Sequence, residues 1–106
     1  MHMSLLDSYR RKLISKNEEL SRLQTGKSKE QAKSAALSLK ISSAMQASQR
    51  SKSASVISTK LREIERYRKE QAALEKKIAD YEAKISKVQK DIISEQKKVS
   101  REEDNL

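Results

Sequence analysis

ISTKLREIERYRKEQAALEKKIADYEAKISKVQKDIISEQKKV, residues 57–99, repeats its apolar residues on a seven-residue period. Ile57, Ile64, Ile78, Ile85, Ile92 and Val99 occupy one position of the repeat, and Tyr67, Leu74, Tyr81 and Val88 stand three residues later. Of the thirteen a and d positions between Ile57 and Val99, ten are apolar, the exceptions being Lys60, Gln71 and Glu95. This spacing draws a single narrow seam along a helix, too narrow for a globular core and suited to a coiled coil. The chain reads as all-α, and the function legible in it is helix–helix association.

Working back from Ile57, a second stripe comes into view. Ser4-Leu5-Leu6-Asp7 has the serine-to-acid spacing of a helix N-terminal capping box. Leu6, Tyr9, Leu13, Leu20 and Leu23 then follow heptad spacing, interrupted at Lys16. Acid-first pairs four apart (Asp7–Arg11, Glu18–Arg22, Glu65–Lys69, Asp80–Lys84) would each add a few tenths of a kcal/mol to a helix. Thr25-Gly26 is the weakest point of this first helix, where a local softening rather than a break is expected. Between Ser28 and Ser58 there are ten serines in thirty-one residues, and the apolar seam thins to Ala35, Ala36, Leu37, Leu39, Ile41, Ala44 and Met45.

The two stripes are out of phase. Counting sevens forward from Leu6 reaches Ser48 and Ser55, whereas the second stripe starts at Ile57. Two residues of slip would turn the seam by about 200° on a continuous helix, so a turn is needed for the halves to face each other. The expected organisation is a long antiparallel helical hairpin: a first helix over 4–45, a Ser-rich turn over 46–54, a second helix over 55–103 and a tail over 104–106. Symmetric arms then pair residues whose numbers sum to roughly 100 to 103. That register sets Gln71 near Lys27 to Ala32, Tyr67 against Ala35 and Ala36, Tyr81 and Ile85 against Leu20 and Leu23, and Ile92 against Leu13 and Tyr9. The turn lacks Gly and Pro, which keeps a long parallel coiled coil with a stutter as the competing arrangement.

A weaker stripe of Ala72, Ala79 and Ile93 lies beside the main seam, with Ala73 and Ala83 close by; Leu5, Ile14 and Leu61 also fall outside it. Two helices cannot cover both sides of themselves, so a homodimer forming a four-helix bundle is expected.

Composition narrows the function classes. The 106 residues include no Pro, Cys, Trp or Phe and one Gly, with 37% charged and 35% hydrophobic side chains, which suits long solvated helices. Net charge is +9; residues 1–50 hold ten basic and four acidic side chains, and residues 51–106 hold fourteen and eleven. No apolar run approaches the roughly 20 residues of a membrane span. Zero cysteines fit a reducing, cytoplasmic setting. Met1-His2-Met3 reads as a tag remnant before a natural start at Met3, and it holds the one histidine, so no metal site or catalytic dyad assembles. Gly26-Lys27-Ser28 mimics the end of a phosphate-binding loop, but Ser21 stands where its first Gly belongs and no strand precedes it. The basic groups Arg10-Arg11-Lys12 and Arg66, Arg68, Lys69 suit phosphates and tyrosines suit bases, yet Tyr9, Tyr67 and Tyr81 all sit at seam positions. Core packing is the reading preferred for them. No catalytic, cofactor-binding or metal-ligating residue is assigned; the interface set is Leu6, Tyr9, Leu13, Leu20, Leu23, Leu37, Ile41, Ile57, Ile64, Tyr67, Leu74, Ile78, Tyr81, Ile85, Val88, Ile92 and Val99. A basic helical adaptor for nucleic acid, acidic lipid or a partner protein is the alternative function.

Ser4-Leu5-Leu6-Asp7-Ser8-Tyr9-Arg10-Arg11-Lys12-Leu13 resembles the opening of bacterial Toll/interleukin-1 receptor (TIR) domain proteins whose N-terminal region is a coiled coil. The central Ser-Lys-Ser-Ala-Ser run and Ser58-Thr59-Lys60-Leu61-Arg62-Glu63-Ile64-Glu65-Arg66 are similar to that region too. The resemblance implies a following TIR domain that cleaves NAD+, works as an assembly and serves anti-phage defence or interference with host signalling. It also implies that this segment sets stoichiometry and raises the local concentration of enzymatic domains, without catalysis or cofactor of its own. No catalytic glutamate or NAD-binding position of that family has a counterpart among these residues.

Overall fold

The computed structural model describes residues 4–106; the expected tag remnant at 1–3 lies outside the described residues. The chain is an antiparallel hairpin of two helices, α1 (Leu5–Arg50, 46 residues) and α2 (Ala54–Asp104, 51 residues), with no strand among the described residues. Ser4 starts α1: its Oγ accepts from the Asp7 N–H at 3.0 Å and its carbonyl from the Ser8 N–H at 3.0 Å. Asp7 sits in that first turn, where the helix dipole favours an acid. At the far end of α2, Asn105 and Leu106 donate to the carbonyls of Glu102 and Glu103 at 3.2 and 3.3 Å, tightening the last turn.

The turn is shorter than the nine residues expected. It comprises Ser51, Lys52 and Ser53, and residues 46–50 belong to α1. With no Gly, Pro or positive φ available, serine hydroxyls satisfy the backbone. Ser51 Oγ accepts from the Ser53 N–H at 3.1 Å, and Ser53 caps α2 by accepting from Val56 N–H at 3.4 Å on Oγ and from Ile57 N–H at 3.0 Å on its carbonyl. The absence of breakers in 46–50 lets α1 run on, and Arg50 completes its last turn with the charge its dipole favours.

Centring the turn on Lys52 also changes the register. Tyr81 lies over Gly26, three residues beyond Leu23. Gln71 Nε2 donates to the Ser34 carbonyl at 2.9 Å and Ser38 Oγ at 2.7 Å, beyond the expected 27–32. Lys40, four residues beyond Ala36, covers Tyr67. The pairs Lys16–Asp91, Gly26–Tyr81 and Lys40–Tyr67 all sum to 107, about one to two helical turns past the expected pairing.

By its contacts the chain divides into two units: the residues up to Gly26 with Asp80–Leu106, and Lys27–Ala79. Each is a pair of antiparallel helical segments. In the first, Leu6, Val88 and Ile92 are buried; in the second, Leu37, Ala44, Ile64 and Ile78 are.

Candidate helix–helix interface

All seventeen interface residues named from the sequence lie on the inner faces of their helices. Leu6, Leu37, Ile64, Ile78, Val88 and Ile92 are buried. Tyr9, Leu13, Leu20, Leu23, Ile41, Ile57, Tyr67, Leu74, Tyr81, Ile85 and Val99 are half-buried. Of the thinned middle stripe, Ala35, Ala36, Leu39 and Met45 are exposed, Leu39 at 74%. The covered positions of α1 instead continue the seven-residue count without a break, through Lys27, Glu30, Ser34, Leu37, Ile41, Ala44 and Ser48. Extending the count from Tyr9 as well as from Leu6 finds Glu30 and Ala44. Apolarity finds Ala44 but not Glu30, because most of these residues are polar.

Those polar positions make specific layers. In the first unit, Glu95 is 3% exposed although charged. Its Oε1 takes Lys98 Nζ at 3.2 Å and Lys12 Nζ at 3.3 Å, while Oε2 has no hydrogen-bond partner. Loss of water pushes this carboxyl up, but the hydrogen bonds from Lys98 and Lys12 and then their charges outweigh that, leaving it below its ordinary value. Lys98 Nζ also stands 5.6 Å from the Tyr9 ring centre. One layer further, Lys16 bridges Asp91 and Glu19, both at 3.4 Å, and these hydrogen bonds hold the ammonium above its ordinary value. Arg10 reaches Glu103 at 3.3 Å. In the second unit Ser34 Oγ donates to Glu75 at 3.0 Å beside the Gln71 bonds. Polar layers of this kind contribute little net stability but penalise any slipped pairing, since a slip leaves a buried group unsatisfied.

Gly26 shows what the apolar layers demand. A Cβ there would come within 2.6 Å of the Tyr81 ring, so only a bare backbone admits the tyrosine at this level. The helix is neither broken nor left-handed at this point, and Gly26-Lys27-Ser28 lies mid-helix with its amides committed to the helix ladder. A phosphate loop is therefore ruled out there. Tyr67 is flanked by Lys40 at 5.8 Å and Arg66 at 5.2 Å from its ring centre, so its face is already occupied. Of the four acid-first pairs, Glu65–Lys69 closes at 3.5 Å.

The outer surfaces are also ordered by the repeat. Ser38 and Met45 of α1 share one groove with Arg68 of α2, all of them one position past a d residue. Lys33 and Lys40 share another with Glu70 and Lys77, each of them just before an a residue. The second unit thus has two distinct sides. In the first unit Ile14 and Ile93, each one position past an a residue, are 60% and 53% exposed. In the second unit Ala35 and Ala72 hold that same place in the repeat, Met45 and Leu61 each follow a d residue, and all four are exposed. No described helix is long and apolar enough to cross a membrane, and the described residues contain no group of three or more His, Cys, Asp or Glu placed to hold a metal. Comparisons with protein-family models, characterised proteins and solved structures return no match.

Proposed function

We propose that this hairpin is a self-association module, two copies packing into a four-helix bundle through the outward apolar residues of each unit, Ile14 and Ile93 in the first and Met45 and Leu61 in the second. The observation behind this reading is the coincidence of outward apolar residues at matching levels of both helices: Ile14 with Ile93, Ala35 with Ala72, and Met45 with Leu61. Small serines and alanines fill the levels between them (Ser21 with Ser86, Ser28 with Ala79), which favours close helix approach. A symmetric dimer needs one self-complementary patch, and a low-charge face supplies it. In the first unit this side holds one cation, Arg10, against Asp7, Glu82 and Glu103. In the second it holds Arg68 against Glu65 and Glu75.

On the strength of the resemblance over residues 4–13 and 58–66, the same proposal makes the chain the non-catalytic assembly element of a bacterial TIR-domain NAD+ hydrolase. Its role would be to bring enzymatic domains together in the cytoplasm, the mechanism being effective concentration rather than chemistry.

Sedimentation of the full chain at high micromolar concentration tests the association: a dimer is expected, and Ile14→Asp with Ile93→Asp should give a monomer that keeps its helical circular dichroism. Lys76→Asp, on the outermost surface, should leave the dimer intact. A monomeric wild-type chain would reject the module. The coding sequence after Leu106 tests the enzymatic assignment separately.

A further inference from the structure

The side of the second unit opposite Met45 and Leu61 has a different character. Lys29, Lys33, Lys40, Arg50, Arg66 and Lys77 are exposed on it, with Glu63 and Glu70 as its acids. Between the helices on this side runs an open groove lined by the apolar Ala36, Leu37, Ala73 and Leu74, by the cations Lys33, Lys40 and Lys77, and by one acid, Glu70, so that its walls keep a net positive charge. Lys40 leans toward the Tyr67 ring and Lys33 reaches Glu30 at 3.5 Å, and both remain exposed. A groove with an apolar floor of small residues and cationic walls combines two recognition elements that a merely solvated surface lacks.

We propose that this groove receives an acidic amphipathic helix from a partner protein, a surface independent of the self-association face. Three properties favour that occupant. Ala36 and Ala73 leave room for a helix backbone to approach, as small residues do wherever helices pack closely. Lys33 and Lys40 are seven residues apart, about 10.5 Å along α1, and a partner helix repeats its own flanking side chains at the same interval. The net positive charge of this side complements glutamates flanking an apolar ridge. A duplex, by contrast, presents one charge per about 1.7 Å of axis and has no group to fill an apolar floor.

The test uses the full chain and a four-heptad synthetic peptide with a Leu/Ala ridge flanked by glutamates, read by fluorescence anisotropy. Its controls are a scrambled peptide of equal composition, duplex DNA, and phosphatidylserine vesicles. The heptad peptide should bind about tenfold or more tightly than the scrambled one. Lys33→Glu, Lys40→Glu and Lys77→Glu together should weaken it about tenfold, while the equal charge change at Arg62, Lys69 and Lys76 on the outer surface should matter less than about twofold. Ala36→Gln with Ala73→Gln keeps the charge and fills the floor; it should weaken the peptide about fivefold and leave DNA titrations unchanged. Lysine-to-glutamine versions of the groove triple, checked for helicity, read the same surface if the reversals unfold the chain. Equal affinity for the two peptides, tighter binding of DNA or vesicles than of the heptad peptide, or equal losses from both triples would each overturn the proposal.

Discussion

Among single residues, the two most informative positions are a glycine and a glutamate. Gly26 sits in a continuous helix where alanine would ordinarily be better by about 1 kcal/mol. The 2.6 Å approach of Tyr81 reverses that preference. Gly26→Ala is expected to destabilise the chain by about 1 kcal/mol once overpacking is set against propensity. In a Tyr81→Ala background the same change should stabilise by a similar amount, and urea denaturation of the four chains gives the sign in each background. Glu95, held below its ordinary value by Lys98 and Lys12, contributes stability above the usual carboxylate range, and that contribution is lost as pH falls through its depressed value. The urea midpoint should therefore fall as pH drops below the usual carboxylate range, and fall less steeply in Glu95→Gln, which starts lower at neutral pH because its lysines have lost their partner. Neither role is legible in sequence. Gly26 reads only as a soft spot and Glu95 only as a gap in an apolar seam, because each acquires its meaning from a residue on the other helix.

For the two helices and their connection, periodicity carries the reading of α2 almost completely. Its covered positions continue the seven-residue count from Ile57 to Glu102. In α1 the count persists while apolarity does not, so Glu30 and Ser34 are seam positions that hydrophobicity alone hides. The length of the turn escapes a reading that looks for Gly and Pro as its signals. Hydroxyl acceptors satisfy the backbone at Ser51 and Ser53 instead, and a serine among ten serines is not distinctive. Ser53→Ala should cost about 1 kcal/mol, whereas Ser53→Gly should cost only a few tenths, measured by thermal unfolding under matched conditions. A three-residue turn also makes the pairing of the helices depend strictly on length, since an added residue would rotate one seam by about 100° against the other.

For the molecule as a whole, the feature that matters is different chemistry on the two sides of the hairpin's second unit. One side is low in charge with matched apolar pairs, and the other is cationic with an alanine floor. In the sequence, Ala72, Ala79, Ile93, Ile14 and Leu61 stand out only as leftovers from the seam. The side to which each belongs depends on the register, which lies about one to two turns from the symmetric estimate. A dimer through the low-charge side predicts a melting midpoint that rises with protein concentration, by the mass action that links assembly to folding. Ile14→Asp with Ile93→Asp should remove that dependence while leaving a cooperative transition.

The brevity of the Ser51-Lys52-Ser53 connection reaches into kinetics. Ile57 is the first seam residue beyond it, so contacts there close only a short loop, whereas Arg10 and Glu103 must find each other across nearly the whole chain. Loop-closure entropy grows with the logarithm of that separation, so zippering starts beside the bend and travels outward. In pulse-labelled refolding, helix amides a turn or two from the bend should then gain protection first, and those flanking Arg10 and Glu103 last.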